Sequence, residues 1–373
     1  MKIYYWSPYL TNIATINSVF RSAKCFATHS QKKNDAVILN SSGEWDFKKK
    51  NIFNVKIQNL YPFNFYKFLP KEGFIQSRFS FLMIFMINFF PLIKKINKDK
   101  PDYLVVHLLT ILPILLSPIL SKNTKIILRI SGHPKLTLIR KFTWRIFSKY
   151  IYKITAPTNK TLKFLKNSKI FNNKKIVLLR DPVIDPNEIL INKNKNFPKF
   201  KKKSFFLSIG RLTKQKNFEF LIKMFAKYKH LIDIDYLLVV GEGEEKIKLD
   251  RLIKELNCQK SIYLLGFKNN VYNYINGCDT LISTAEYEDP GFVLLEAAFL
   301  KKKIISSLVD NGPKEMYQEG NCCSFFELNN EQSFLKAIKK HKNYNHNKIK
   351  KAYYFSKKFF ISRHFEDFKK ILN

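Results

Sequence analysis

Short apolar runs recur along the first half of the chain, and stretches with helical spacing separate them. The helical stretch Ile13–His29 carries apolar residues at every third or fourth position. Residues 50–70 are aromatic and irregular in pattern. We predict strands at Lys2–Trp6, Ala36–Asn40, Tyr103–His107, Thr124–Ile130, Ile151–Ala156 and Lys175–Leu179. Strands that alternate with helices are typical of a parallel α/β sheet.

The second half repeats this alternation and predicts a second doubly wound domain. Its predicted strands are Phe205–Ile209, Asp235–Val240, Ile262–Leu265, Thr280–Ser283 and Lys303–Ser307. Its predicted helices are Asn217–His230, Glu244–Leu256, Val271–Gly277 and Phe292–Leu300.

A change of composition separates the two halves. Asp181-Pro182 and Asp185-Pro186 are turn signals, and Asn192–Lys203 is polar and basic. We therefore predict a first domain at 1–183, a linker at 184–203 and a second domain at 204–348. The segment 349–373 has a helical pattern, and packing back on the first domain is one option for it.

One stretch, Phe79–Ile93, is apolar enough to raise the question of a membrane. It is shorter than the ~20 residues that a spanning helix needs, and it contains Asn88 and Pro91. Two interpretations stay open: a helix in the core, or a helix that lies in a membrane interface.

The formal net charge of +37 narrows the candidate partners. Nucleic acid, an anionic membrane surface and phosphorylated small ligands would each suit a basic chain, and a coding bias toward lysine is the plain alternative. The five cysteines show no metal-ligand spacing, which favours reduced thiols in the cytoplasm. The first residues do not have the pattern of a signal peptide.

Charged residues follow two strands of the second half, where open α/β sheets bind ligands. Arg211 and Lys216 flank the loop after Phe205–Ile209, and two cations there suit a diphosphate. The alternative is a pair of solvated cations in a lysine-rich chain.

The loop after Thr280–Ser283 carries two acidic residues around the start of a helix. Pro290-Gly291 marks that start, and a helix N-terminus offers free N–H groups to a phosphate. Glu288 precedes the helix, and Glu296 lies inside it among apolar residues. A buried carboxylate needs partners, which could be sugar or ribose hydroxyls, a nearby lysine or a neighbouring element that it caps.

Five segments in this order resemble the donor-binding domain of family 4 glycosyltransferases, the large retaining family with the GT-B fold. They are SIGRLTKQKNFEFLI, VVGEGEEKIKL, IYLLGFKNNV, STAEYEDPGFVLLEAA and IISSLVDNGPKE. The resemblance covers about 204–316 firmly and the rest of the chain loosely. It implies two doubly wound, Rossmann-like α/β domains that face each other across a cleft, the first for the acceptor and the second for a nucleotide sugar.

The resemblance also assigns roles to individual residues. Arg211 and Lys216 would bind the donor diphosphate and stabilise the departing nucleotide. Glu288 would contact the transferred sugar, and Glu296 would hold the ribose hydroxyls. The remaining donor contacts would come from Gly291, Phe292 and Val293 at the diphosphate or sugar and from Gly266 and Phe267 at the base.

The chain departs from the usual family pattern in two places. Asp289-Pro290 stands where the commonest form has Gly-Phe, which implies a stiffer loop and a third carboxylate near the sugar. The loop after the first strand has no glycine, so Thr11 and Asn12 are the candidates for contacts there. His133 is the candidate for the histidine that family members place near the reacting sugar, and His107 is a weaker one.

The resemblance implies an enzyme that moves a hexose from a nucleotide sugar to a saccharide, free or lipid-linked, in cell-surface polysaccharide or lipopolysaccharide synthesis. It implies no cofactor and no metal. We expect a cytoplasmic protein, with peripheral contact at the inner face of the membrane as an option and nucleic acid excluded as a partner. The alternatives are a GT-B nucleotide-sugar epimerase and a non-catalytic basic protein that binds membrane or nucleic acid.

Overall fold

The computed structural model divides the chain into two compact units, Met1–Pro182 with Ile361–Asn373, and Val183–Phe360. It describes residues 1–11, 14–29, 36–47, 55–70, 74–132, 134, 136–195, 204–340 and 342–373. Within those ranges, each unit is a parallel sheet with helices, which confirms the predicted α/β class.

The first unit has a parallel sheet in the order β3-β2-β1-β4-β5-β6-β7. Its strands are β1 (Ile3–Trp6), β2 (Ala36–Asn40), β3 (Lys56–Asn59), β4 (Tyr103–Val106), β5 (Lys125–Arg129), β6 (Ile151–Ala156) and β7 (Ile176–Leu178). Its helices are α1 (Ala14–His29), α2 (Phe74–Asp99), α3 (Ile111–Leu116), α4 (Leu138–Phe147), α5 (Asn159–Asn167) and α14 (Ile361–Leu372).

The second unit has a parallel sheet in the order β10-β9-β8-β11-β12-β13. Its strands are β8 (Phe205–Ile209), β9 (Tyr236–Val240), β10 (Ile262–Leu264), β11 (Thr280–Ser283), β12 (Lys303–Ser307) and β13 (Ser324–Phe326). Its helices are α6 (Pro186–Asn192), α7 (Phe218–Tyr228), α8 (Lys246–Glu255), α9 (Tyr272–Gly277), α10 (Phe292–Phe299), α11 (Gly312–Gln318), α12 (Glu331–Lys339) and α13 (His346–Ser356).

Both sheets are covered on both faces, which explains the continuous apolar runs of their central strands. In β1, Tyr4 and Trp6 belong to one core of the first unit. The alternate residues Ile3 and Tyr5 belong to the core on the other face. Successive side chains of a strand point to opposite faces, so each central strand supplies two cores at once.

The predicted linker is partly a helix. The Asp185 side chain accepts a hydrogen bond from the Glu188 N–H (3.3 Å), and Pro186 occupies the first turn of α6. An N-cap aspartate followed by proline favours a helix start, whereas the sequence analysis interpreted this pair as a turn. Ile189 is buried in a core of the second unit. Residues 196–203 of the predicted linker lie outside the described ranges.

The predicted C-terminal helix is two helices, α13 and α14, that belong to different units. The break comes at Phe360, which is extended. In α14, Phe368 and Leu372 are buried in a core of the first unit. Phe368 lies edge-on to Phe26 of α1, with ring centroids 5.2 Å apart.

Candidate active site

The strand order of the second sheet reverses between β8 and β11. From β8 the chain moves outward through β9 to β10, and from β11 it moves outward in the other direction to β13. Open α/β sheets bind ligands beyond the carboxyl ends of the strands at such a switch point. Arg211 and Lys216 follow β8, and Glu288 and Glu296 follow β11. The predicted residues therefore lie on the two connections that flank the switch point.

Hydrogen bonds join these two connections directly. The Glu286 N–H donates to the Gln215 carbonyl (2.8 Å), and the Gln215 side chain donates to the Tyr287 carbonyl (2.9 Å). The Thr284 hydroxyl donates to the Asn217 carbonyl (3.0 Å). The loop after β8 is thus held in a fixed register against the loop after β11.

Lys216 and Glu288 form an ion pair at this junction. Lys216 Nζ lies 2.6 Å from Glu288 Oε1, and the side chains are only 20% and 13% exposed. For Lys216 the alternative of a solvated surface cation does not hold. Arg211 is exposed, and no side-chain hydrogen bond or ion pair joins it to another residue in the described ranges. The loop therefore combines a neutralised pair with a positive charge that is available to an anion.

The N-terminus of α10 supplies backbone donors beside this pair. Gly291 is the N-cap residue with φ of 90°, a left-handed conformation that favours glycine. A Cβ at Gly291 would lie 3.5 Å from Glu288 Cβ, so the helix start and the ion pair are adjacent. The first-turn N–H groups, including those of Phe292 and Val293, have no partner within the helix by geometry. They can donate to an anion such as a phosphate.

Glu296 lies in the second turn of α10 and is buried between apolar neighbours. A carboxylate in such a place requires polar partners because burial removes its water. The role of Glu296 toward a ribose stays a prediction.

Asp289, the residue that departs from the family pattern, belongs to a polar network. Its Oδ2 accepts from the Tyr287 hydroxyl (3.1 Å) and from the Asn311 side-chain amide (3.3 Å). The Asn311 amide also donates to the Tyr287 oxygen (2.8 Å). The Asp289–Pro290 peptide bond is cis. Asn311 was not among the predicted site residues, although it stands in a segment that carries the family resemblance.

Gly266 and Phe267 follow β10, the outer strand beyond β9. The Gly266 carbonyl accepts from the Gly241 N–H (3.0 Å), and the Phe267 side chain is exposed. A Cβ at Gly241 would lie 1.8 Å from the Gly210 carbonyl oxygen. Gly241 thus lets the connections after β8 and β9 pack closely. Contacts of Gly266 and Phe267 with a base stay a prediction.

The first sheet also has a switch point, between β1 and β4, and His107 directly follows β4. His107 Nε2 lies 2.7 Å from Ser131 Oγ. Burial, followed by the positive charge of Arg129, lowers the pKa of His107 well below its usual range. His107 is therefore a neutral, buried histidine at the carboxyl end of the first sheet. Thr11 is exposed, whereas His133 and Asn12 lie outside the described residues.

Metal chemistry has no visible support in the described part of the chain. No group of three or more histidine, cysteine, aspartate or glutamate side chains there could hold a metal ion. The five cysteines are buried free thiols. Independence from metals and cofactors stays a prediction.

Sequence comparison identifies the class to which this fold and site belong. Residues 191–358 match the family of glycosyl transferases group 1. A protein of Methanocaldococcus jannaschii, described as an uncharacterized glycosyltransferase, is 30% identical over 294 residues, which are 74% of this chain and 68% of that protein. The chain therefore belongs to the group 1 glycosyltransferases and is a transferase.

More specific relatives match a smaller part of the chain. The Campylobacter jejuni N-acetylgalactosamine-N,N'-diacetylbacillosaminyl-diphospho-undecaprenol 4-alpha-N-acetylgalactosaminyltransferase is 34% identical over 138 residues, 37% of each chain. Among solved structures, HepE of Anabaena in complex with UDP and glucose superposes with a TM-score of 0.69 at 12% identity, covering 100% of this chain and 99% of that one. A glycosyltransferase from Rickettsia africae gives 0.70 at 18% identity, with 100% and 97% covered. These structures confirm the predicted GT-B fold.

Proposed function

We propose that the chain is a retaining glycosyltransferase of family 4 that moves a hexose from a nucleotide sugar to a hydroxyl of a saccharide, free or carried on a lipid. One observation carries the proposal. Cations after β8 and carboxylates after β11 lie on the two connections at the switch point, with Lys216 and Glu288 2.6 Å apart.

The donor diphosphate would lie between the loop after β8 and the start of α10. Arg211 and Lys216 would contact its oxygens, together with the backbone at Gly291, Phe292 and Val293. Negative charge grows on the departing nucleotide during transfer, and fixed donors around it lower the barrier. Because the Arg211 side chain has no hydrogen-bond or ion-pair partner in the described ranges, its charge is available for this purpose.

The two glutamates would divide the donor between them. Glu288 would accept hydrogen bonds from hydroxyls of the transferred sugar, and Glu296 would accept them from the ribose. Charge-assisted hydrogen bonds of this kind are stronger than neutral ones. Gly266 and Phe267 would border the base.

Retention of configuration would proceed without a nucleophile from the protein. Lys216 holds Glu288 as an ion pair, which weakens that carboxylate as a nucleophile and suits it to a binding role. The leaving phosphate would instead assist the incoming hydroxyl on the same face of the sugar. His133 near the reacting sugar stays part of this proposal.

The relatives, rather than the site, support the proposed acceptor class. The name of the Campylobacter relative describes alpha transfer to a saccharide on diphospho-undecaprenol. An alpha product is the retained configuration whenever the donor is itself alpha-linked. We infer a role in cell-surface polysaccharide or lipopolysaccharide synthesis in the cytoplasm, at the inner face of the membrane.

A donor screen tests the proposal. Binding and slow hydrolysis are measured over a panel of UDP-, GDP- and ADP-hexoses, and the anomeric configuration of any product is read by NMR. We expect one nucleotide class to bind, Glu288→Gln to lose turnover, and the product to retain the donor configuration. Asp279→Asn is the matched control. Asp279 forms an ion pair with Lys303 (3.2 Å) at the amino ends of β11 and β12, whereas the candidate site lies beyond the carboxyl ends of the strands.

Two outcomes would refute the proposal. Formation of an epimer from the donor alone, without any acceptor, would identify an epimerase. Absence of binding across the whole panel would leave a glycosyltransferase fold that does not use nucleotide hexoses.

A further inference from the structure

The long helix α2 of the first unit has two different faces. One face, at intervals of four residues, is buried in the unit and consists of Ser80, Ile84, Asn88, Leu92 and Ile96. The other face is exposed and apolar, with Phe90 76% exposed, and consists of Ile75, Phe79, Leu82, Met86 and Phe90. A row of large apolar side chains in water is unfavourable unless something covers it.

The buried face fixes α2 to the first unit. Ile75–Asp99 is long and apolar enough to cross a membrane. Core helices of soluble proteins can be equally long and apolar, so length and composition alone do not decide between the two. Asn88 is buried and donates to the Ile84 carbonyl (2.8 Å). Pro91 has no N–H, so the Ile87 carbonyl lacks its helical donor, and the Tyr61 hydroxyl donates to it instead. These contacts suit a helix that stays in the unit and offers one face outward.

A second helix, α4, presents a similar face close by. Its exposed apolar residues are Leu138, Ile139, Phe142 and Ile146, and Leu138 is 87% exposed. The short helix α3 packs against both α2 and α4. Burial and the positive charge of Arg78 on α2 lower the pKa of Arg140 on α4, which also indicates that the helices are close. We call the exposed apolar residues of these two helices the docking surface.

Positive charge surrounds the docking surface. The exposed stripe of α2 continues into Lys94 and Lys98, α4 carries Lys141 and Arg145, and Lys149 follows α4; all five are exposed. Between residues 74 and 150 the sequence has only two acidic residues, Asp99 and Asp102. Asp99 forms an ion pair with Lys95 (2.8 Å), so its charge is already compensated.

We propose that the docking surface binds an anionic lipid bilayer, with the apolar side chains of α2 and α4 in the interface and the flanking lysines and arginines at the lipid headgroups. Amphipathic helices with cationic flanks bind membranes in this way, with the apolar face ~5–10 Å deep. A second copy of the chain would fit less well because it would bring two positive rims together. The inference does not depend on the proposed donor chemistry.

Vesicle binding by the full chain tests this surface. Sedimentation is measured with vesicles of phosphatidylcholine alone and with added phosphatidylglycerol, at low and high salt. We expect strong binding only with phosphatidylglycerol, weakened by salt because exposed charges are screened. The double variant Lys141→Gln, Arg145→Gln should bind the anionic vesicles about 25-fold more weakly, because each cation contributes about five-fold to the affinity.

Apolar variants separate insertion from simple charge attraction. Phe90→Gln with Phe142→Gln lowers the affinity at least about ten-fold, since two large side chains no longer leave water. Leu231→Gln with Ile247→Gln is the matched control because both residues are exposed apolar residues of the second unit. Nucleotide binding is measured in parallel and stays unchanged in every variant.

Three results would overturn the proposal. Equal binding to neutral and anionic vesicles would show that the cations do not contribute to binding. Unchanged vesicle binding by the Phe90→Gln, Phe142→Gln variant would show that the docking surface does not enter the membrane. A dimer that this variant dissociates, without vesicle binding by the original chain, would show that a second copy covers the surface.

Discussion

Replacement of Lys216 by methionine tests the site at its most specific contact. The ammonium group lies 2.6 Å from Glu288, and both side chains are largely buried. A hydrogen bond to a charged group contributes about 1.5–3 kcal/mol, which corresponds to about 10- to 150-fold in affinity. Since Lys216 is still 20% exposed and partly screened, we expect Lys216→Met to weaken donor binding about 10- to 40-fold.

The same substitution also affects stability, and a second substitution separates the two effects. Lys216→Met leaves the Glu288 charge without its partner, which costs about 1–3 kcal/mol. For a unit of this size each kcal/mol lowers Tm by about 2–4 °C. Adding Glu288→Gln removes the uncompensated charge, so the double variant regains most of its stability. Donor affinity stays low, because the cation that contacts the diphosphate is still missing.

Isothermal titration with the nucleoside diphosphate and thermal unfolding measure the two effects on the same samples. Lys303→Met is the control. Lys303 pairs with Asp279 (3.2 Å) at the amino ends of the strands, so this substitution should lower stability without weakening donor binding. Recovery of donor binding in the double variant would show that Lys216 acts only through Glu288. Unchanged binding by Lys216→Met alone would refute a contact with the diphosphate.

Three further predictions concern groups that are fully or partly buried. Glu296→Leu should bring the affinities for a nucleoside diphosphate and its 2',3'-dideoxy analogue to about the same value in titrations, because a leucine side chain cannot accept hydrogen bonds from the ribose hydroxyls; a persistent preference for ribose would contradict this role. Burial and the charge of Arg129 lower the pKa values of both His107 and His364 well below the usual range, whereas unfolded histidine takes up a proton near pH 6.5. The free energy of unfolding should therefore fall as the pH drops below about 6.5, by up to about 1.4 kcal/mol per pH unit for each histidine. Urea titrations at pH 7.5 and 5.5 should show a smaller fall for His364→Gln than for the original chain. An equal fall would contradict the assignment. Tyr61→Phe removes the donor to the Ile87 carbonyl and should cost about 1–2 kcal/mol in urea unfolding, while Tyr354→Phe, an exposed tyrosine, should change nothing.

The central strands could be predicted from the sequence because both faces of each sheet are buried. Their apolar runs are continuous, and β8 and β11 begin and end where the pattern predicts. The edge strand β3 was missed because it is polar and partly exposed, so no apolar run marks it. Helix α4 was missed as well, although Leu138, Phe142 and Ile146 recur at intervals of four residues and could have indicated it.

The residues of the candidate site could be predicted from the sequence, but the contacts between them could not. Spacing around Gly291 and the family resemblance identified Glu288 and Glu296. The contact between Lys216 and Glu288 joins residues on connections from strands that are neighbours only in the folded sheet. Pattern along the chain cannot show that adjacency, because β9 and β10 intervene in the sequence. The network of Tyr287, Asp289 and Asn311 was missed because Asn311 follows the next strand, β12, and only the folded sheet brings it to Asp289.

Helix α14 makes the order of synthesis matter for folding. The first unit consists of Met1–Pro182 and Ile361–Asn373, so its last helix is translated after the whole of the second unit. Until then, the face of α1 that packs against α14 is uncovered, and the Tyr103 hydroxyl lacks the Leu372 carbonyl that accepts its hydrogen bond. Domains generally fold as they leave the ribosome, N-terminal first. Here the domain that is made first is completed last, so its unfinished core is exposed to chaperones throughout the synthesis of the second.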